Sequence, residues 1–211
     1  MQSLGSKSNY LWMILSISSV FMFFISCSQK SFDSEQQLLE FLQDEVNDYK
    51  QHKTVNGVDF SLMYRPTDLL VKQEIGNSSM PLDSINMLRD KYKHYIYFNL
   101  SMSKNGQELL SAVPKNRNEF GSMVNQLVFG MHEKIHLLTQ QNDTIELVDY
   151  VYPRMYGMSK TTSMMFVYPR EKQKLDTKKL QFTIEDLGLQ TGEVKFTIDT
   201  DKIINEPNLK F

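Results

Sequence analysis

The sequence predicts an α+β fold in which N-terminal helices pack on an antiparallel sheet or small β-sandwich over residues ~94–211. Three observations carry this reading. Apolar residues recur at helical spacing through much of the first half. From His94 onward two-residue alternation takes over. The regular strand–helix–strand order that a parallel sheet requires cannot be traced anywhere.

Taken in order, Ser34-Glu35-Gln36-Gln37 has the spacing of a capping box. Leu38, Leu39, Phe41, Leu42, Val46 and Tyr49 follow at helical intervals, which predicts a helix over 35–50. Asn56-Gly57 marks a turn, and Val58, Phe60, Leu62 and Tyr64 alternate as a strand. Pro66-Thr67-Asp68 starts a short helix through Glu74, and Pro81–Tyr92 carries Ile85, Leu88 and Tyr92 along one helical face. Ile96, Phe98, Leu100 and Met102 alternate up to Asn105-Gly106, which predicts a hairpin with Gln107–Val113 as its return arm. Phe120, Met123, Val124, Leu127, Val128 and Met131 return to helical spacing after Asn116-Arg117-Asn118. A second hairpin is expected from Lys134–Gln140 and Thr144–Tyr152 about Gln141-Asn142-Asp143. Further strands are predicted at Ser163–Tyr168, Leu180–Glu185 and Gly192–Asp199, the last two joined closely enough to be antiparallel neighbours.

The composition belongs to an ordinary globular chain: 211 residues, 41% hydrophobic, 23% charged, formal net charge −2. No concentrated Lys/Arg field is present, which argues against a nucleic-acid partner. With one cysteine, no internal disulfide can form. No Gly-rich phosphate loop, G-x-S-x-G elbow or catalytic Cys–His arrangement occurs. Asp199 and Asp201 lack the further oxygen ligands and turn glycine of a calcium loop.

The first 26 residues stand apart. Lys7 is their only charge, and Leu11–Ser26 is apolar or hydroxylic without an ionisable group. These are the parts of a secretory signal, and the stretch is short for a permanent membrane span. The sole cysteine stands where it stops. Phe24-Ile25-Ser26-Cys27 resembles the lipobox of bacterial lipoproteins, with Phe24 where Leu is usual. The resemblance implies a signal peptide over residues 1–26, cleavage before Cys27, and acylation of that cysteine with palmitate-type chains. Two or more such chains make a durable membrane tether. Ser28, in place of Asp, implies the outer membrane of the cell envelope. Residues 27–33 read as a tether and 34–211 as a single domain of net charge −3, since Lys7 alone among charged residues leaves with the leader.

One pentapeptide could be chemistry. His132-Glu133-Lys134-Ile135-His136 spells H-E-x-x-H, which on a helix puts two imidazoles on one face for zinc and a glutamate beside its water. A third ligand would have to come from Glu146, Asp149 or Glu171. Against this, Gly130 breaks the preceding helix and Lys134–Gln140 leads into a turn as a hairpin arm would. On a strand the two histidines stand about 13 Å apart, too far to share one ion. The expectation is incidental histidines, no resident cofactor and no catalysis, with a zinc hydrolase as the alternative.

Tyr152-Pro153-Arg154 and Tyr168-Pro169-Arg170 repeat a triplet within a Tyr/Met-rich stretch. Proline can stop a sheet ladder there while arginine is solvated. Tyr, Met and Arg are also enriched at interfaces, so Tyr152, Arg154, Met155, Tyr156, Tyr168 and Arg170 are the candidate contacts for an envelope protein partner, or for a sugar or peptide. Met155, Met158, Met164 and Met165 offer thioethers for a soft metal, without the His or Cys pattern that would assist.

Overall fold

A computed structural model describes residues 29–155 and 157–211; the leader, Cys27 and Tyr156 lie outside the described residues. Strand β1 is only Ser31–Phe32, pairing in parallel with β11 at Asn208–Leu209. The tether expected over 27–33 is therefore already part of the fold at Ser31.

Ser34 opens helix α1 (Glu35–Gln43) by accepting from Gln37 N at 3.2 Å, and Gln37 Oε1 accepts in return from Asp33 N at 3.3 Å. The helix ends before residue 50, contrary to the periodicity. Asp44 accepts from Val46 N at 3.0 Å and turns the chain into a single 3₁₀ turn over Glu45–Asn47. Val46, expected on the buried face, is 90% exposed. Asp48 then takes the left-handed conformation and β2 begins at Lys50.

Strand β2 (Lys50–Val55) folds back on β3 (Val58–Tyr64) through Asn56 and Gly57, whose φ values of 50° and 71° fit the tight hairpin turn that Asn-Gly favours. Every second residue of β3 is buried, as predicted. Helices α2 (Thr67–Ile75) and α3 (Leu82–Tyr92) follow, each behind a proline, and their Val71, Ile75 and Ile85 pack together. Strand β4 (Tyr95–Lys104) then runs antiparallel to β3.

The return arm predicted after Asn105-Gly106 does not form. Lys104 and Gln107 make one isolated bridge, and the chain coils into the short helix α4 (Leu109–Ala112). Asn116 caps α5 (Arg117–Phe129), accepting from Asn118 N and Glu119 N at 3.0 Å each. Strands β5 (Ile135–Thr139) and β6 (Thr144–Ile145) make a hairpin shorter than expected. After Ile145 the chain leaves it, and β7 (Asp149–Val151) joins β8 (Thr162–Pro169) instead. A short helix α6 (Lys172–Leu175), strands β9 (Lys179–Ile184) and β10 (Val194–Asp199), and helix α7 (Thr200–Ile204) complete the chain before β11.

The fold is α+β. A five-stranded antiparallel sheet has the order β2-β3-β4-β8-β7, and a four-stranded antiparallel sheet has the order β10-β9-β5-β6. Because β2 and β3 belong to the larger sheet, sheet structure begins well before the residue ~94 boundary that the sequence predicts. Phe98 on β4 and Phe166 and Tyr168 on β8 meet Phe182 on β9, with ring centroids 5.5, 5.8 and 6.3 Å apart. The main core cluster draws on both sheets. Each such ring contributes roughly 1.5–3 kcal/mol by leaving water. A second cluster joins Leu38 and Leu42 of α1 to Leu69 and Leu209. No helix among the described residues is long and apolar enough to cross a membrane.

Candidate functional site

Helix α5 stops at Gly130, one residue before the pentapeptide His132–His136 comes into reach of it. Gln126 folds over the helix end and its side-chain amide donates to Gly130 O at 2.8 Å. A Cβ at position 130 would sit 2.5 Å from that amide, so a larger residue there would displace the Gln126 side chain from the helix end. Met131–Glu133 then forms one 3₁₀ turn, and β5 starts at Ile135. His132 is therefore on a turn, with its imidazole 3.7 Å from Glu133, while His136 is on a strand, 2.9 Å from Glu185 Oε1. Lys134 Nζ reaches the other oxygen of Glu185 at 3.0 Å. His136 first, and Lys134 second, hold the Glu185 carboxyl below the usual carboxylate range. The two histidines share no helical face. Among the described residues no group of three or more His, Cys, Asp or Glu side chains is placed to hold a metal ion, and Glu146, Asp149 and Glu171 complete none.

The two Tyr-Pro-Arg triplets do opposite things. Tyr168 is on the inward face of β8, fully buried, and Arg170 follows the strand end, where its N–H donates to His94 O at 2.8 Å. Arg170 Nη1 donates to Glu206 Oε1 at 2.9 Å and Nη2 donates to the Tyr64 hydroxyl at 2.8 Å. That hydroxyl donates to Glu206 Oε2 at 2.6 Å, and Thr67 adds its N–H and Oγ1, each at 2.9 Å. The Arg170 and Glu206 side chains are 18% and 11% exposed. This is a buried charged network that clamps the C-terminal segment onto β3, α2 and β8. Tyr168 and Arg170, expected to face a partner, are thus structural.

Tyr152-Pro153-Arg154 leaves β7 on the surface. Tyr152 is half-buried, and Arg154, Met155 and Met158 are exposed. Arg154 and Gly157 line a cavity of about 370 Å³ together with Glu108, Leu110 and Ser111 around α4 and Phe120 and Val124 on α5. Glu108 is only 3% exposed, and its Oε2 accepts from Gly157 N at 2.9 Å. Gly157 holds φ at 79°, which suits glycine and lets its N–H approach the carboxylate. The Tyr152 phenol is pushed up, by burial first and by the Glu108 charge second, and down by Arg154, so it lies within the field of both charges. A wider basin of about 790 Å³ is bordered by Lys93, His94, Arg170, Lys172, Gln173, Leu175, Asp176 and Ile204, but its one buried charge, Arg170, is already engaged by Glu206 and Tyr64.

Of the exposed apolar side chains, Phe120 on α5 lines the smaller cavity, and Met155 and Met158 (80% exposed) flank its Arg154 and Gly157 in the segment after β7; Phe129 ends α5, and Val148 and Val151 lie at β7. The Tyr150 hydroxyl donates to Val128 O at 2.7 Å and fixes β7 against the end of α5. Of the residues singled out from the sequence, Tyr152, Arg154, Met155 and Met158 are near this face; Tyr156 lies outside the described residues. Met164 is buried in the main core on β8, away from the surface methionines. Glu108 was not among the candidates, because nothing local in Gln107-Glu108-Leu109-Leu110 announces a buried carboxylate.

No protein-family model matches the chain, and no curated protein sequence matches it. A solved structure described as a novel protein of unknown function from Burkholderia pseudomallei is similar at a TM-score of 0.36 and 11% identity, covering 81% of this chain and 91% of that one. A likeness of that size carries no functional argument.

Proposed function

We propose that this chain is a lipid-anchored protein of the bacterial cell envelope, held at the outer membrane through Cys27, whose folded part acts by binding a partner protein and not by catalysis. The binding role is supported by one observation above all: a cavity with Phe120 in its wall opens beside the exposed Arg154, Met155 and Met158 segment, whose Arg154 and Gly157 also line it. Apolar groups so gathered on a surface mark contact sites. The anchor is supported by Phe24-Ile25-Ser26-Cys27 at the end of the apolar leader. We also infer that the two antiparallel sheets form a small β-sandwich, a reading supported by the rings that Phe98, Phe166 and Tyr168 present to Phe182.

Two experiments test the proposal separately. Cells expressing the full chain or its Cys27→Ala variant are labelled with palmitate; the label should appear on the parent and be absent from the variant. Equal labelling would dismiss the anchor. A photoreactive residue at position 158 should give one discrete crosslinked adduct in membranes, whereas the same group at Leu82 on α3 should not. A smear or no adduct at 158 would dismiss the binding face.

A further inference from the structure

Taking a carboxylate out of water is costly unless a cation or several hydrogen bonds replace the lost hydration. Glu108 has been taken almost wholly out of water, where it accepts from the Gly157 N–H and has the neutral Tyr152 phenol beside it, but meets no cation among the described residues. Among the described residues neither Glu108 nor Arg154 belongs to an ion pair. Both border the same cavity, and the rest of its wall is mainly apolar: Leu110, Phe120 and Val124, with the Ser111 hydroxyl beside them. The cavity falls within the size range of small-ligand sites, which combine apolar walls with a few placed polar groups.

That combination excludes several occupants. A phosphorylated ligand would meet one cation and a buried negative charge. A metal ion would find a single carboxylate. A sugar would leave most of its hydroxyls against hydrocarbon. An ammonium group answers Glu108, an electron-rich oxygen answers Arg154, and a hydrocarbon side chain answers the walls. We propose that the cavity binds the amino end of an apolar residue, with its α-ammonium on Glu108, its carbonyl or carboxylate oxygen on Arg154, and its side chain against Leu110, Phe120 and Val124. The source is either a free amino acid or the first residue of a peptide chain. A chain terminus deepens the partner-binding role proposed above by naming the chemistry recognised; a free amino acid goes beyond it.

The test is titration calorimetry on the full chain in detergent, using L-leucine, the peptide Leu-Gly-Gly and N-acetyl-leucine as probes. Leucine or the peptide binds, and N-acetyl-leucine, which lacks the ammonium, binds at least about tenfold more weakly because Glu108 loses its charged partner. Leucine alone assigns the site to a free amino acid; binding of the peptide assigns it to a chain terminus. Glu108→Gln keeps an acceptor for Gly157 and should weaken binding by about tenfold or more. If that variant fails to fold, Val124→Trp fills the cavity from its apolar side with Glu108 intact, and should abolish binding while the protein keeps its parental melting behaviour. Absence of binding by both leucine and Leu-Gly-Gly at millimolar concentration overturns the proposal, as does equal binding of N-acetyl-leucine. A persisting adduct at position 158 would then show that the cavity assignment has failed and the binding face has not.

Discussion

Arg170 and Glu206 stand 36 positions apart in sequence and 2.9 Å apart in space, each mostly buried. Two more residues, Tyr64 and Thr67, complete the carboxylate's shell, so it accepts four hydrogen bonds, three from side chains and one from the Thr67 N–H. Removing one partner of a buried pair leaves the other charged and unpaired, which costs about 3–5 kcal/mol. Arg170→Ala should therefore lower the urea midpoint by that amount of stability with an unchanged m-value, and Glu206→Ala should do the same. A loss below about 1 kcal/mol, the worth of a surface pair, would contradict the burial of the network.

Tyr168 offers the opposite case. Its hydroxyl is buried with no hydrogen-bond partner among the described residues, while its ring packs edge-on to Phe98 and Phe182. Tyr168→Phe keeps the ring and discards an unpaired polar group, so it should stabilise the fold by about 1 kcal/mol. Thermal or urea unfolding of the single variant decides it, and a clear loss of stability would mean that the hydroxyl does have a partner.

Alkaline pH should unfold the protein ahead of a chain with exposed tyrosines. Burial first, and the Glu206 charge second, push the Tyr64 phenol well above its ordinary value of 10.0, and burial pushes Tyr168 up as well. Burial, with help from Tyr92 and Tyr95, raises Tyr97 from 10.0 to about 12. The folded state then holds protons that the unfolded state releases, so stability is intact below pH 10 and falls as the pH rises from 10 toward 12 and beyond. Melting temperatures measured at constant ionic strength across that window should fall steadily, and less steeply in Tyr168→Phe. A flat profile would contradict the burial of these phenols.

The C-terminal strand is held by a second buried carboxylate. Asp68 accepts from Arg89 Nε at 2.7 Å and Nη2 at 2.8 Å, and also from Leu209 N at 2.8 Å, while Arg89 Nη2 donates to Leu209 O at 3.0 Å. Asp68→Ala frees β11 and, through it, β1. It should cost about 3 kcal/mol or more and expose the amides of Asn208 and Lys210 to solvent hydrogen exchange, because both donate to the β1 segment. Unchanged protection at those two amides would refute the linkage.

Strands with one wet face were legible in the sequence, and so were helices behind a proline or an asparagine cap. β3, β8 and β10 alternate in burial, and α2, α3 and α5 announce their starts. Competition between local and distant partners was not legible. Leu42, Val46 and Tyr49 keep helical spacing, yet the Asp44 side chain captures the Val46 N–H and ends the helix. Asn56-Gly57 and Asn105-Gly106 are the same turn signal with positive φ at all four residues, but only the first leads into a return strand. After the second, Leu109 N finds Thr162 Oγ1 at 3.0 Å and the chain coils. The site was half visible. Arg154 and the methionines around it stood out by composition, but two identical triplets cannot reveal that one arginine is sealed in a network and the other is not. Glu108 matters because of its burial, which tertiary packing creates and no local pattern encodes.

The pairing of Ser31 and Phe32 with Asn208 and Leu209 also sets a length. From Cys27 to Ser31 there are four peptide steps, at most about 14 Å of extended backbone. Were Cys27 acylated as proposed, so short a line would keep the start of the fold close to the lipid headgroups. Under the proposed anchor the folded part stays within its own diameter and that short line of the bilayer, which favours partners that are themselves embedded there or that arrive along its surface.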